Sequence, residues 1–289
     1  MPAGDVDVDG YLRRLKVGHD GPPSAERLRT IHAAHVERIP YEVIEIQLGR
    51  PITVDPYESA ARIVERHRGG YCYHLNGALS LLLETLGYDV VWHKGGVQAR
   101  TDPEPVGATG SHLALTVHGL PADHNPSGDW LVDAGLGDAL HEPLPLIAGT
   151  YEQGPFTYGL APSTREPGGW RFEHDPRCSF TGMDFKAQRA TTEDFAAKHA
   201  FLSSSPESSF VRTCAVQRRD AAGVDMLTGC VLQRLDAHGP PQPRTLETAA
   251  EWFDALHDVF DLPLTDLADG QRAALYARVH AAHEAWIGA

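Results

Sequence analysis

Basic charge is scarce in this 289-residue chain: 25 Lys and Arg stand against 39 Asp and Glu, a formal charge of −14 at neutral pH. Such a surface repels nucleic acid and anionic lipid on average, which argues against a generic binder of either. The 16 His add positive charge only as pH falls toward about 6.5. Cysteine is sparse as well. Thiols at 72, 178, 214 and 230 leave no CxxC ligand pair and too few bridges for a disulfide framework, so reduced thiols in a cytoplasmic protein are the expectation. No apolar run approaches the roughly 20 residues that span a bilayer. The acidic residues 1–10 have neither the basic start nor the apolar stretch of an export signal. Internal repeats, GxGxxG or Walker loops and HExxH are missing too, which removes the usual nucleotide cradles and zinc helices.

What is present is a folded chain with sizeable cores, 42% hydrophobic and 22% charged. Its first ninety residues read as helical. Tyr11, Leu12 and Leu15 follow an Asp9-Gly10 start, and Ser24 opens a run with Leu28, Ile31 and Val36 at helical spacing that Pro40 stops. Asp55-Pro56 opens another helix through Ile63, and residues 76–86 carry a Leu-rich face ended by Gly87. From Tyr88 the texture is β: 90–92, 113–117 and 130–132 are short runs between Gly, Pro, Asn and Asp, which predicts an antiparallel sheet or barrel. Residues 149–177 continue that texture and 191–202 read as a connecting helix. Residues 210–217 and 224–235 read as two strands about the turn at 220–223, followed by helices from Thr245 and over 269–286.

Chemistry points first to Cys72, which follows Gly69-Gly70 at the beginning of the Leu-rich helix. Unpaired amides and the positive end of the helix dipole favour a thiolate there, and the thiolate is the nucleophile. A hairpin supplies partners. Matching Val117 with Trp130 sets Leu115 opposite Val132 and makes Asp133 the diagonal neighbour of His112; a shift of two residues sets His112 and Asp133 directly opposite. Either register brings an imidazole and its orienting carboxylate to one end of the hairpin. Singly, each residue has a plainer reading: a core thiol, a surface histidine, a turn-capping aspartate. Together they form a skeleton shared by cysteine hydrolases, transglutaminating enzymes and acyltransferases, and it names no substrate.

Other features are read plainly. His32 with His35, and His280 with His283, have the spacing of two ligands on one helix face but no adjacent carboxylate motif, so they count as solvated or core histidines and no metal is expected. Cys178, Cys214 and Cys230 read as small buried side chains, and Arg212, Arg218 and Arg219 as a solvated strand edge.

Beyond the skeleton, Arg68-Gly69-Gly70-Tyr71-Cys72 through Asn76, His112 before an apolar strand, and Asp133-Ala134-Gly135-Leu136-Gly137 resemble the arylamine N-acetyltransferase family. Ile39-Pro40-Tyr41-Glu42 is similar to its IPFEN segment, residues 11–15 to its YxxRI and residues 209–219 to its SPFxxxxxxQRR stretch, so the likeness covers nearly the whole chain. The resemblance implies an α+β multidomain fold with a cysteine-protease-like core. Its parts would be a helical bundle with the nucleophile over 1–90, an antiparallel β-barrel with His and Asp over 91–190, and a connecting helix with an α/β lid over 191–289.

It further implies that Cys72 is acylated by acetyl-CoA or another acyl-CoA in a ping-pong cycle, that His112 pairs with the thiolate and shuttles protons, and that Asp133 orients His112. Substrate and CoA contacts would fall on Tyr73, His74, Gly110, Ser111, Leu136 and Phe210. Structural support would come from Arg14, Glu42 and Arg68, with Arg14 and Glu42 as an ion pair. The expected partners are an acyl-CoA donor and a small-molecule amine, with no nucleic acid, membrane or permanently bound cofactor; a homodimer is compatible with all of this. Departures from the family pattern are His74 where Glu is common, Val43 where Asn is usual, and a longer stretch between His112 and Asp133 that extends a surface loop. Leu136 takes a variable position near the acceptor pocket. Alternative readings are an amide synthase or acyltransferase of a natural-product pathway working on a carrier-bound or longer acyl thioester, a thiol hydrolase, and a non-catalytic homolog.

Overall fold

Helix starts in the N-terminal region are set by side chains that catch free backbone amides. Asp7 accepts from Gly10 N at the start of α1 (Val8–Leu15), two residues earlier than the Asp9-Gly10 start expected, and Ser24 accepts from Arg27 N at the start of α2 (Ala25–Arg38). Asp55 caps α4 (Pro56–Arg66), whose Pro sits in the first turn where its missing N–H is harmless. Between them lie β1 (Tyr41–Glu42) and the single turn α3 (Ile44–Gln47). The Leu-rich helix α5 (Cys72–Thr85) begins four residues before the predicted Asn76, so Cys72 is its first residue. Leu75, Leu79, Leu82 and Leu83 on it are fully buried. At about 1.5–3 kcal/mol for each buried side chain, an upper estimate, this helix is anchored by its apolar face. The structure, a computed structural model, describes residues 6–19, 21–50 and 52–287. The first five residues of the N-terminal stretch read as unlike an export signal lie outside the described residues.

The β region is one antiparallel sheet of eight strands: β2 (Asp89–Ala99), β3 (His112–His118), β4 (Trp130–Val132), β5 (Leu144–Pro145), β6 (Gly149–Gln153), β7 (Phe156–Pro162), β8 (Trp170–Glu173) and β9 (Phe180–Arg189). Their spatial order is β5-β4-β3-β2-β9-β8-β7-β6, and among the described residues the two end strands do not pair with each other. The α+β class holds. Val117 pairs with Trp130 and Leu115 with Val132, the first of the two registers that the sequence allows.

After α6 (Glu193–Ser204), two expectations are corrected. Residues 210–217 are not one strand, because Ser208 accepts from Phe210 N and starts a helical turn, α7 (Ser209–Arg212), before β10 (Ala215–Asp220). Residues 224–235 are two strands, β11 (Gly223–Thr228) and β12 (Val231–Asp236), split by a tight turn at Gly229 with φ +57°. These strands join β1 and β13 (Arg244–Thr245) in a second sheet of order β1-β10-β11-β12-β13. Helices α8 (Ala249–Asp258) and α9 (Asp269–Ile287) close the chain, and Trp252, Leu256 and Leu275 pack with Val216 and Leu227 of this sheet in one cluster. None of the helices described is long and apolar enough to cross a membrane.

Candidate active site

The Gly69-Gly70 pair before Cys72 is a close-packed joint rather than a flexible spacer. A Cβ on Gly69 would lie 1.9 Å from the Pro40 carbonyl oxygen, and one on Gly70, with φ +148°, would lie 2.7 Å from His74 Cβ. Glu42 N donates to Gly70 O at 3.0 Å, so β1 and the nucleophile segment are tied directly. Cys72 itself is 3% exposed, with its sulfur 3.7 Å from the Ser111 carbonyl oxygen.

His112 and Asp133 meet as the hairpin predicts. His112 Nε2 lies 2.7 Å from Asp133 Oδ2 at the buried end of the sheet, which leaves Nδ1 for the Cys72 sulfur. Burial alone would lower the imidazole's proton affinity; the Asp133 carboxylate and the Cys72 sulfur overcome it and raise His112 to about 10. A protonated His112 at neutral pH is the counter-ion that a Cys72 thiolate needs.

Two further side chains hold Asp133. Asn76 Nδ2 donates to Asp133 Oδ1 at 2.7 Å and to Leu113 O at 2.6 Å, while its Oδ1 accepts from Ala134 N at 2.9 Å. His32 Nε2 accepts from Asp133 N at 3.2 Å, and its Nδ1 donates to His141 O at 3.0 Å. That pair of contacts fixes a neutral tautomer, and complete burial lowers the affinity of His32 for a second proton. Asn76 belongs to the recognised segment, but His32 was read as a solvated or core histidine. Its contact crosses 101 residues and leaves no local signal.

A cleft of about 360 Å³ opens over Cys72 and His112. Ser111, Leu136 and Phe210 line it, together with Tyr41, Phe180 and Gln217. Tyr73, His74 and Gly110 do not. The Tyr73 hydroxyl donates to Gly110 O at 2.5 Å in a buried contact. His74 is fully buried behind the nucleophile, and its Nδ1 accepts from Tyr71 N at 3.3 Å. Burial first, then Arg62 and His199, hold His74 well below the ordinary imidazole range, so it caps helix α5 as a neutral ring. Among the described residues no carboxylate, lysine or arginine lines the cleft.

The expected Arg14–Glu42 ion pair is not formed. Arg14 reaches Asp261 at 2.9 Å and the Arg38 carbonyl at 2.6 Å, because α1 ends beside the C-terminal region. Glu42 instead faces Arg68 at 3.5 Å, since the β1–Gly70 contact brings them together. Arg68, fully buried, also meets Glu45 at 2.9 Å and Asp266 at 3.7 Å, so it fills the supporting position expected of it. Buried pairs of this kind hold geometry more than they add net stability.

A second group of the same residue types lies away from the cleft floor. Ligand atoms of Asp138, His174 and Cys178 fall within 4.8 Å of one another. Its polar atoms are already engaged: Asp138 accepts from Ser179 N at 2.7 Å, Ser179 Oγ at 3.0 Å and His174 Nε2 at 3.2 Å, while His174 Nδ1 accepts from Asp175 N at 2.9 Å. Burial and the two neighbouring carboxylates push the Cys178 thiol far up. A metal there would have to displace hydrogen bonds already formed, so the group reads as a structural knot. Arg219, taken as part of a solvated strand edge, is buried. It donates to Ala139 O, Gly223 O and Gln153 O at 2.9–3.0 Å and lies 4.5 Å from the Phe156 ring centre.

Comparison with known proteins gives consistent matches. A family model described as N-acetyltransferase matches residues 24–268. The chain is 34% identical to an arylamine N-acetyltransferase of Mycolicibacterium smegmatis over 95% of its own length and 98% of the relative's. It is 29% identical to a pineal gland isozyme of arylamine N-acetyltransferase from Gallus gallus, over 80% of this chain and 83% of that one. Among solved structures, that of the Mycobacterium marinum arylamine N-acetyltransferase in complex with CoA superposes with a TM-score of 0.83 at 28% identity, over 96% of this chain and 99% of the other.

Proposed function

The chain belongs to the arylamine N-acetyltransferase family, and from that premise we propose a two-stage acyl transfer centred on Cys72. The observation that carries it is His112 held at 2.7 Å by Asp133 with its other nitrogen toward the sulfur, at the floor of a cleft whose described lining residues include no carboxylate, lysine or arginine. The Cys72 thiolate attacks the acetyl carbonyl of acetyl-CoA; the C–S bond to CoA breaks, and CoA leaves as a thiolate that takes its proton from His112, leaving the imidazole neutral. The exchange is nearly balanced because nucleophile and leaving group are both thiolates. A neutral aromatic amine then attacks the acetyl-Cys72 carbonyl, its proton passes to the His112 side, and the sulfur departs as the thiolate that began the cycle.

The cleft favours such an amine over an alkylammonium ion, whose charge would meet the protonated His112 and, among the described lining residues, no carboxylate. We read the chain as three cooperating parts, residues 1–90, 91–190 and 191–289, that supply the nucleophile, the His–Asp pair and a cover over the cleft. Cytoplasmic residence follows from the reduced thiols this chemistry requires.

The test is intact-mass measurement after incubation with acetyl-CoA. One acetyl adduct is expected, lost in Cys72→Ala and discharged faster by an arylamine than by water. Discharge at equal rates with and without amine would favour hydrolysis. No adduct with any short acyl-CoA, alongside one from a carrier-bound acyl chain, would favour the natural-product alternative.

A further inference from the structure

One pair of side chains in the cleft has polar atoms with no employment inside the protein. Tyr41 and Gln217 stand directly opposite each other on β1 and β10. Directly paired antiparallel residues project to the same face, with Cβ atoms about 4.5–5.5 Å apart. Both line the cleft with Cys72 and His112. Both are partly exposed, and among the described residues neither the Tyr41 hydroxyl nor the Gln217 amide is bonded within the protein.

Other hydroxyls at the cleft are committed or peripheral. Ser111 Oγ accepts from Val97 N at 3.1 Å, and Ser179 Oγ donates to Asp138 at 3.0 Å. Ser209 lies on the exposed rim. Room for the amide is built into the backbone: at Gly137, with φ +68°, a Cβ would come within 1.9 Å of Gln217 Oε1 and 3.4 Å of Tyr41 Cγ. The Tyr41 ring meets Phe210 edge-on at 6.4 Å, so the hydroxyl belongs to a side chain steadied by aromatic packing.

We propose that Tyr41 and Gln217 select aromatic amines that carry a neutral hydrogen-bonding substituent, a hydroxyl or carboxamide, over purely apolar ones. The inference rests on the acetyl-transfer reading above. Leu136, Phe180 and Phe210 provide the apolar wall for the ring, and the facing pair offers both donors and acceptors to one polar group on it. A carboxylate substituent is disfavoured, since among the described residues no lysine or arginine lines the cleft to receive it and the His112 imidazolium is already paired with Asp133.

The test compares 4-aminobenzamide with 4-methylaniline as acceptors, by release of CoA from acetyl-CoA, in the parent protein, Tyr41→Phe and Gln217→Met. Matched circular dichroism melts check that the variants fold. The ratio of kcat/KM for the amide over the methyl compound is expected to fall about five- to tenfold in each variant, the scale of one lost neutral hydrogen bond. An unchanged ratio in both variants overturns the proposal. So does an equal loss with both acceptors traced to slower formation of acetyl-Cys72, which would give the pair to the amides of the donor's pantetheine arm. If the parent protein forms no acetyl adduct by intact mass, the acetyl-transfer reading itself fails; an adduct with unaltered selectivity fails only the Tyr41–Gln217 assignment.

Discussion

Two Cys/His/Asp groups in one chain are assigned opposite roles, and their difference lies in what each imidazole has left to offer. His112 spends Nε2 on Asp133 and keeps Nδ1 for Cys72, whereas His174 spends one nitrogen on Asp138 and the other on the Asp175 amide. Cys72 opens a helix and lines a cleft; Cys178 is sealed, and burial keeps it a thiol. Residue types alone therefore do not make a nucleophile. Access, a helix N-terminus and one uncommitted ring nitrogen do.

The sharpest way to break this contrast is to delete each sulfur. Cys72→Ala should abolish CoA release from acetyl-CoA and arylamine, a loss of about 10⁴-fold or more. Cys178→Ala should keep kcat within about twofold and instead lower stability by about 1–2 kcal/mol in urea unfolding. Equal losses of turnover would erase the distinction.

The carboxylates come next. Asp133→Asn should reduce kcat by about 10²–10⁴-fold, and by NMR the His112 ring should lose its proton well below pH 10. Asp138→Asn should leave that titration unmoved. Stability carries the same signature with a definite sign. Folding raises His112 from about 6.5 to about 10, so between those values the folded chain holds a proton the unfolded chain releases. That contribution is complete below about pH 6.5 and fades as pH rises through about 10. The melting gap between the parent and Asp133→Asn should narrow over this interval.

A smaller loss than that of Asp133→Asn is expected at His32, whose Nε2 accepts from the Asp133 amide. His32→Phe should lower kcat about tenfold with little change in KM and shift the His112 titration downward, and His32→Gln, which retains an acceptor, should recover part of both. A folded His32→Phe protein with an unshifted titration would confine His32 to packing.

Much of this site could be read before any coordinates. The Val117–Trp130 register is the first of the two that the short apolar runs allowed, and the position of Cys72 follows from Gly-Gly followed by a Leu-rich run. What could not be read were contacts between distant segments. Glu42 finds Arg68 rather than Arg14 because β1 lies along the nucleophile segment, and His32 finds Asp133 across the fold. The strand expected over 210–217 failed for a local reason: Ser208 offers its hydroxyl to Phe210 N, and a side-chain cap outcompetes the β-rich composition that follows.

Gly69, pressed against the Pro40 carbonyl, has a practical corollary for protein engineering. Residues 39–42 and 68–72 behave as a lock and its tongue, so a graft that transplants the thiol loop into another scaffold without its mate would arrive misshapen. Shuffling libraries built on this chain should treat the two stretches as a single inherited cassette.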